Sequence, residues 1–323
     1  MRTYTFQIGA GEAGQRLDHY LVHRLPAAVS RAMIQRGIRA GDVTVGGSAP
    51  KPHRRQRSGD TVVACFACLP SVPSRGLPVQ PQEIPLDVVY EDDALLVVNK
   101  PAGLVTHPAP GHWAGTLVNA LAWHVSRQAG QASLARAGII HRLDKETSGL
   151  LLVAKTETAH VALSRDLKAR RMHREYVALV DGLLPLDRGT INVPIGRHLT
   201  HRKQMTVRHL GGRSAVTHYR VARRVPAAGD RPAYTVVEVG LETGRTHQIR
   251  VHFAHLDHPV MGDATYGRHP ASYWQDIGVP RQMLHAYRLT LSHPVTARPM
   301  TFSAPLPADL ASWIPADALS RPS

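Results

Sequence analysis

Pro70, Pro73, Pro78, Pro81 and Pro85 fall within sixteen residues. Proline fixes φ at about −65° and has no backbone N–H, so this density excludes a regular helix or a central strand. Residues 69–85 are predicted to be an extended linker. It separates a small N-terminal module, 1–68, from a large C-terminal domain, 86–323. An apolar content of 43% is enough for a core in each.

The N-terminal module is predicted to begin folding near Gly14. GQRLDHYLVHRL places Leu17, Tyr20, Leu21 and Leu25 on one helical face, and Pro26 ends that helix. Ser30 is predicted to cap a second helix, SRAMIQRGIRAG, which stops near Gly41. VTVGG (43–47) and DTVVACF (60–66) read as short strands around the basic loop KPHRRQR (51–57). Across residues 1–69 ten Lys and Arg oppose four acids, clustered on the second helix and the loop. Arg31, Arg36, Arg54 and Arg55 are the candidate RNA contacts. The blocks GQRLDHYLVHRL, SRAMIQRGIRAGDVTVGG and SGDTV, about fifty residues, resemble the small RNA-binding domain named after ribosomal small-subunit protein four. Val-Gly-Gly stands where that family often has Val-Asn-Gly, and it keeps the turn chemistry.

The whole chain carries 39 Lys and Arg against 24 acids, a formal charge of +15. A solvated basic surface is the plain explanation, but phosphate backbones reward such an excess through counterion release, so nucleic acid is the expected partner. There is no run of about eighteen apolar residues and no apolar leader segment, so no membrane role is expected. Two cysteines form no disulfide framework and fit a reducing cytoplasm.

In the large domain, 88–90 and 95–99 read as paired strands and 115–125 as a helix. SGLLLVAKT is almost wholly apolar, which predicts a strand covered on both faces. A helix over 158–171 precedes the strand REYVALVDG. SAVTHYRVARRV and AYTVVEVGLET alternate as half-buried strands do, and 246–256 reads as a helix capped by Thr243 or Thr246. The expected fold is α+β: a mixed, largely antiparallel sheet with flanking helices, preceded by a small α/β module.

Phosphate-loop, dinucleotide-binding, zinc-protease and serine-hydrolase motifs are absent, so no cofactor is expected. His247, His252, His255 and His258 crowd one segment, but 252, 255 and 258 spread around about half a helical turn and Pro259 breaks the helix. No metal site is expected there. Cys65 and Cys68 form a CxxC without the second pair that zinc needs, and the reading is structural.

HRLDKETSGL (141–150) sets Asp144 in a basic turn at the mouth of the buried strand. Most loop aspartates are hydrogen-bond acceptors. A carboxylate held by a rigid strand can also serve as base or nucleophile. A guanidinium within ~4–6 Å would favour its charged form, and Arg245 in TGRTHQIRVH (243–252) is the candidate.

AGIIHRLDKETSGLLLVAKT resembles the signature of the RluA-type pseudouridine synthases. Further blocks follow in that family's order: VVNKPAGLVTHP (97–108), GTLVNAL (115–121), HREYVALVDG (173–182), AVTHYRV (215–221), LETGRTHQIRVHFAHLDHPVMGDATYG (241–267) and LHAYRL (284–289). The likeness covers nearly all of 85–305. It implies the pseudouridine-synthase fold and isomerisation of uridine to pseudouridine in RNA, with large-subunit ribosomal RNA as target. It implies no metal, no cofactor and no obligate protein partner. Asp144 matches the essential aspartate, Arg245 its ion-pair partner, and Tyr176 the tyrosine that packs on the everted uracil. Arg142 matches the arginine inserted in place of the departed base, with His141 beside the RNA. Arg197-His198-Leu199-Thr200 departs from the family's RHPT, which bears on local RNA contacts. Two other readings stay open: a catalytically silent RNA-binding or ribosome-assembly factor, and a metal hydrolase using Asp144 with the histidines.

Overall fold

The computed structural model describes residues 2–25, 31–51, 53–66, 80–107, 114–127, 138–201 and 204–319. The chain forms two compact units, Met1–Gly76 and Leu77–Ser323.

In the first unit, β1 (Arg2–Gln7), β2 (Val43–Val45) and β3 (Thr61–Phe66) form an antiparallel sheet in the order β1-β3-β2. β1 lies upstream of Gly14, the expected start of the folded part, and corrects that boundary. Its period-two pattern, with Tyr4 and Phe6 on the core side, is the strand signal in that stretch. α1 (Leu17–Arg24) and α2 (Arg31–Ala40) add Leu17, Leu21, Ile34 and Ile38 to the core. The buried Asp18 ties the helices together, accepting from Arg16 Nε at 3.1 Å and Gln35 Nε2 at 2.8 Å. Gly41, at φ +86°, takes the left-handed turn after α2 that a Cβ would strain. Pro26, Ser30, Cys68 and the side chains of Arg31 and Arg36 lie outside the described residues.

The second unit begins its described part at Gln80. The predicted linker's last residues pack on it: Gly115 N donates to Gln82 Oε1 at 2.6 Å and Asn119 Nδ2 to Gln80 O at 2.8 Å. Its main sheet has ten strands: β4 (Val88–Glu91), β5 (Leu95–Lys100), β6 (Gly138–Ile139), β7 (Ser148–Ala154), β8 (His173–Asp181), β9 (Arg188–Asn192), and then β12 (Val216–Val225), β13 (Tyr234–Leu241), β14 (Leu284–Ser292) and β15 (Pro299–Ser303). Between β9 and β12 lies a separate hairpin, β10 (Ile195–Arg197) with β11 (Met205–Val207). The order is β4-β5-β7-β14-β8-β13-β12-β9, with β6 on β7 and β15 on β14. The pairings are antiparallel except β7 with β14. At their junction Gly149 has φ +111°, and a Cβ there would stand 2.2 Å from Ala286 O.

All seven residues of β7 are buried. Leu151 and Val153 face a core with α3 (Leu117–Ser126) and α5 (Gln248–His255). Leu150 and Leu152 face another with α4 (Glu157–Lys168). Side chains of β8 likewise alternate, and Val177 and Leu179 meet α6 (Ala271–Asp276) and α7 (Ala308–Ala311). A strand covered on both faces is what its unbroken apolar run predicts. The expected threonine cap of α5 is corrected. The N-cap is His247, at φ 56°, and Thr243 Oγ1 instead donates to Gln248 Oε1. Among the described residues no helix is long and apolar enough to cross a membrane.

Candidate active site

The turn between β6 and β7 carries Asp144, and its carbonyls are held from three directions. Thr106 Oγ1 donates to Leu143 O at 2.7 Å. Lys100 Nζ, at the end of β5, donates to Lys145 O at 3.1 Å as well as to Pro101 O and Leu104 O. Arg281, just before β14, donates to Glu146 O at 2.9 Å while Asp309 of α7 grips its other nitrogens. The sheet order β5-β7-β14 makes this possible, because both neighbours of β7 deliver a cation to the turn. Burial pulls Lys100 down to about 7, against the opposing charges of Glu146 and Asp144. Each of its three N–H bonds nonetheless has a carbonyl acceptor, an arrangement that only the ammonium fills.

Asp144 opens onto a cleft of about 550 Å³, within the size range of small-ligand sites. Thr106, His107, Arg142, His247, Arg250 and Trp274 are among the lining residues. Arg250 Nη1 donates to Asp144 Oδ2 at 3.0 Å. Its Nε and Nη2 grip Asp263 at 2.6 and 2.8 Å. Asp263 also accepts from the N–H groups of Thr265 and Tyr266. Burial works against the Arg250 charge, but the bonds and charges of Asp263 and Asp144 outweigh it and hold the guanidinium above its ordinary value.

The cation at Asp144 is therefore Arg250 and not Arg245. Arg245 lies ahead of α5, where its Nε donates to Ser214 O at 2.9 Å, and burial together with Arg213 lowers its pKa. Arg250 sits on the α5 face that packs toward the turn. The motif RTHQIR holds both arginines, and only the helix start distinguishes them. Asp263, in the GDATYG block, is the further sequence signal: a second acid able to hold the guanidinium.

Tyr176, on β8, is buried at 4% exposure and is not among the residues lining the cleft. Burial pushes its phenol up, and the charge of Asp144 adds to this. Arg142 is exposed, lines the cleft and makes no ion pair with a described residue. His141 is turned to the sheet: Leu152 N donates to its Nε2 at 3.3 Å, and burial with Arg174 nearby pulls it down to about 3. The ring is thus held by β7, and His141 is not among the residues lining the cleft. In the first unit Arg54 pairs with Asp60 at 3.1 Å, and Arg55 Nη1 donates to Gly14 O. The histidines of α5 form no metal cluster among the described residues. Burial pulls His252 down to about 4, and the ring lies between Thr217 Oγ1 and Val193 O. Cys65 is a free thiol beside Thr3 Oγ1.

A carboxylate lining a cleft and held by a guanidinium that a second, buried carboxylate fixes in place is a charged group able to act on a bound ligand. The chain belongs to the RNA pseudouridylate synthase family, whose model matches residues 94–255. It is thus an isomerase acting on uridine in RNA. Among its relatives is the "Ribosomal large subunit pseudouridine synthase D" of Xanthomonas campestris, 44% identical over 306 residues, covering 92% of this chain and 87% of that one. The "Uncharacterized RNA pseudouridine synthase YlyB" of Bacillus subtilis is 44% identical and covers 94% of each chain. The solved structure of "Human RNA Pseudouridylate Synthase Domain Containing 1" is 30% identical, with a TM-score of 0.57 over 74% of this chain and 92% of that one.

Proposed function

We propose that the protein isomerises specific uridines in large-subunit ribosomal RNA, in the cytoplasm, with Asp144 as the reacting carboxylate. The observation that carries this is the pair Asp144–Arg250, 3.0 Å apart at a cleft that the Arg142 side chain also lines. The reaction breaks the bond from ribose C1′ to uracil N1, turns the base and forms the bond from C1′ to C5; C5 gives up its proton and N1 takes one up. Reactant and product are isomers, so atoms and electrons balance without oxidant or reductant. Cleavage builds positive character on the sugar, which a fixed carboxylate in a desolvated cleft stabilises. Asp144 acts either as nucleophile at C1′ or as the base that opens a glycal route, and both roles need its charged form. Arg250 Nη1 donates to its Oδ2 at 3.0 Å.

A uridine inside a helix cannot reach this cleft without leaving its stack, at a cost of a few kcal/mol. Arg142, exposed and beside Asp144, is the residue we assign to the vacated position. Its cation stacks on neighbouring bases and contacts phosphate. The first unit, with its basic 51–57 loop, is assigned to RNA binding as a ribosomal-protein-S-four-like module. The test is release of tritium from large-subunit ribosomal RNA labelled at uracil C5. Release at a rate set by the protein is expected, and none above background would refute the assignment.

A further inference from the structure

The two oxygens of Asp144 are not equivalent. Oδ2 accepts from Arg250, whereas Oδ1 accepts no hydrogen bond among the described residues and faces His247 Nε2 across 3.9 Å. The state of that nitrogen depends on its neighbours. Tyr266 oxygen accepts from Met205 N at 2.8 Å and stands 2.7 Å from His247 Nδ1. In one of the two arrangements open to this contact, Nδ1 carries no proton and Tyr266 O–H donates to it. The imidazole proton is then on Nε2, aimed into the gap. Burial holds His247 below the usual imidazole range; Asp144 and Asp263 pull against it, and Arg250 and Arg142 add to it.

Its backbone is set for the same purpose. His247 has φ 56° and ψ 24°, a left-handed conformation that costs a non-glycine residue on the order of 1 kcal/mol. The ring then stands edge-on to Tyr266, with centroids 5.7 Å apart, and the cleft is walled by both His247 and Asp144. A donor and an acceptor thus face one another across 3.9 Å, too far to bond directly. A hydroxyl oxygen about 2.8 Å from each would span the gap at an angle near 90°, accepting from one side and donating to the other.

We propose that His247 binds the ribose 2′-hydroxyl of the target uridine, with Nε2–H donating to its oxygen and the hydroxyl donating a hydrogen bond to Asp144 Oδ1. The contact seats C1′, the neighbouring sugar carbon, beside the Asp144 carboxylate, and it makes the site selective for ribonucleotides. The inference rests on the isomerase reading above.

The test is a two-by-two comparison on the full-length protein. The substrates are a synthetic RNA hairpin with one uridine that the protein converts, and its twin with 2′-deoxyuridine at that position. Single-turnover conversion is read by nucleoside chromatography after digestion. His247→Asn suits the left-handed backbone but is too short to present an N–H at the Nε2 position. His247→Gln restores the reach. The slowing caused by removing the hydroxyl is expected to be about tenfold smaller in His247→Asn than in the wild type, the worth of one hydrogen bond. His247→Gln is expected to recover most of the difference, and Tyr266→Phe, which frees the tautomer, to fall between. The same slowing in wild type and His247→Asn would overturn the proposal. Absence of pseudouridine from every large-subunit transcript offered to the wild type is a different result: it would overturn the isomerase reading, and this inference with it.

Discussion

Arg250 joins Asp144 to Asp263, with 3.0 Å from Nη1 to one carboxylate and 2.6 and 2.8 Å from Nε and Nη2 to the other. A guanidinium is planar, so fixing one edge of its fork on the fully buried Asp263 also fixes the direction of the remaining N–H. Asp144 meets a cation that is already in place, with no reorganisation left for the reaction step.

Asp144→Asn keeps the shape and removes the charge. Turnover is expected to fall at least about a thousandfold, in line with the loss of a preorganised charged group. The melting temperature and RNA affinity should stay close to wild type. Tritium release and thermal melting check this, and turnover near wild type would defeat the assignment of Asp144.

The two arginines of the RTHQIR block should separate sharply. Arg250→Met strands Asp263 without its cation in the core, which costs roughly 3–5 kcal/mol for a broken buried pair. Arg245→Met loses one bond to a backbone carbonyl, worth about 1 kcal/mol, with turnover lowered by no more than about tenfold. Urea denaturation and steady-state kinetics on both variants decide this. The opposite ranking would restore Arg245 as the partner of Asp144.

Acid should destabilise the large unit through histidines that the fold keeps neutral. Burial pulls His252 and His285 down to about 4, and each is at most 1% exposed. The unfolded chain binds a proton at each below about pH 6.5. The fold refuses it until about pH 4, so stability falls as pH drops through that window. Each site adds a slope of about 1.4 kcal/mol per pH unit. Urea midpoints between pH 7 and 4.5 measure it. His285→Gln should remove one site's share, and an unchanged slope would show that His285 titrates normally.

Lys51 and Arg57 are exposed on the basic loop of the first unit, while Arg54 is occupied by Asp60. Replacing Lys51 and Arg57 with glutamine should flatten the salt dependence of RNA affinity. The change expected in the log–log slope is about 0.7–0.9 for each phosphate no longer neutralised. Filter binding across salt concentrations tests this, and an unaltered slope would move the RNA grip elsewhere.

Much of the fold is legible along the chain, because burial side and turn type are local. Period-two alternation marks β12, whereas β13, expected to be half-buried, is corrected: its residues 234–237 are all buried, because it lies inside the sheet between β8 and β12. The unbroken apolar run marks β7 as covered on both faces, and HRLD places Asp144 at its mouth. β1 is not legible in this way, since six alternating residues beside no turn signal carry little weight, and β9, β10, β11, β14, β15, α6 and α7 likewise carry no sequence expectation.

Partnership is another matter. Asp144 and Arg250 are 106 residues apart, and two arginines five positions apart compete for the same role. The left-handed His247 that starts α5 chooses between them, by setting which face of the helix looks at the turn. Lys100 and Arg281 become supports of that turn only because β5 and β14 flank β7. Sequence pattern encodes what each segment buries; which side chains then meet depends on strand order and helix phase, and those exist only once the chain has folded.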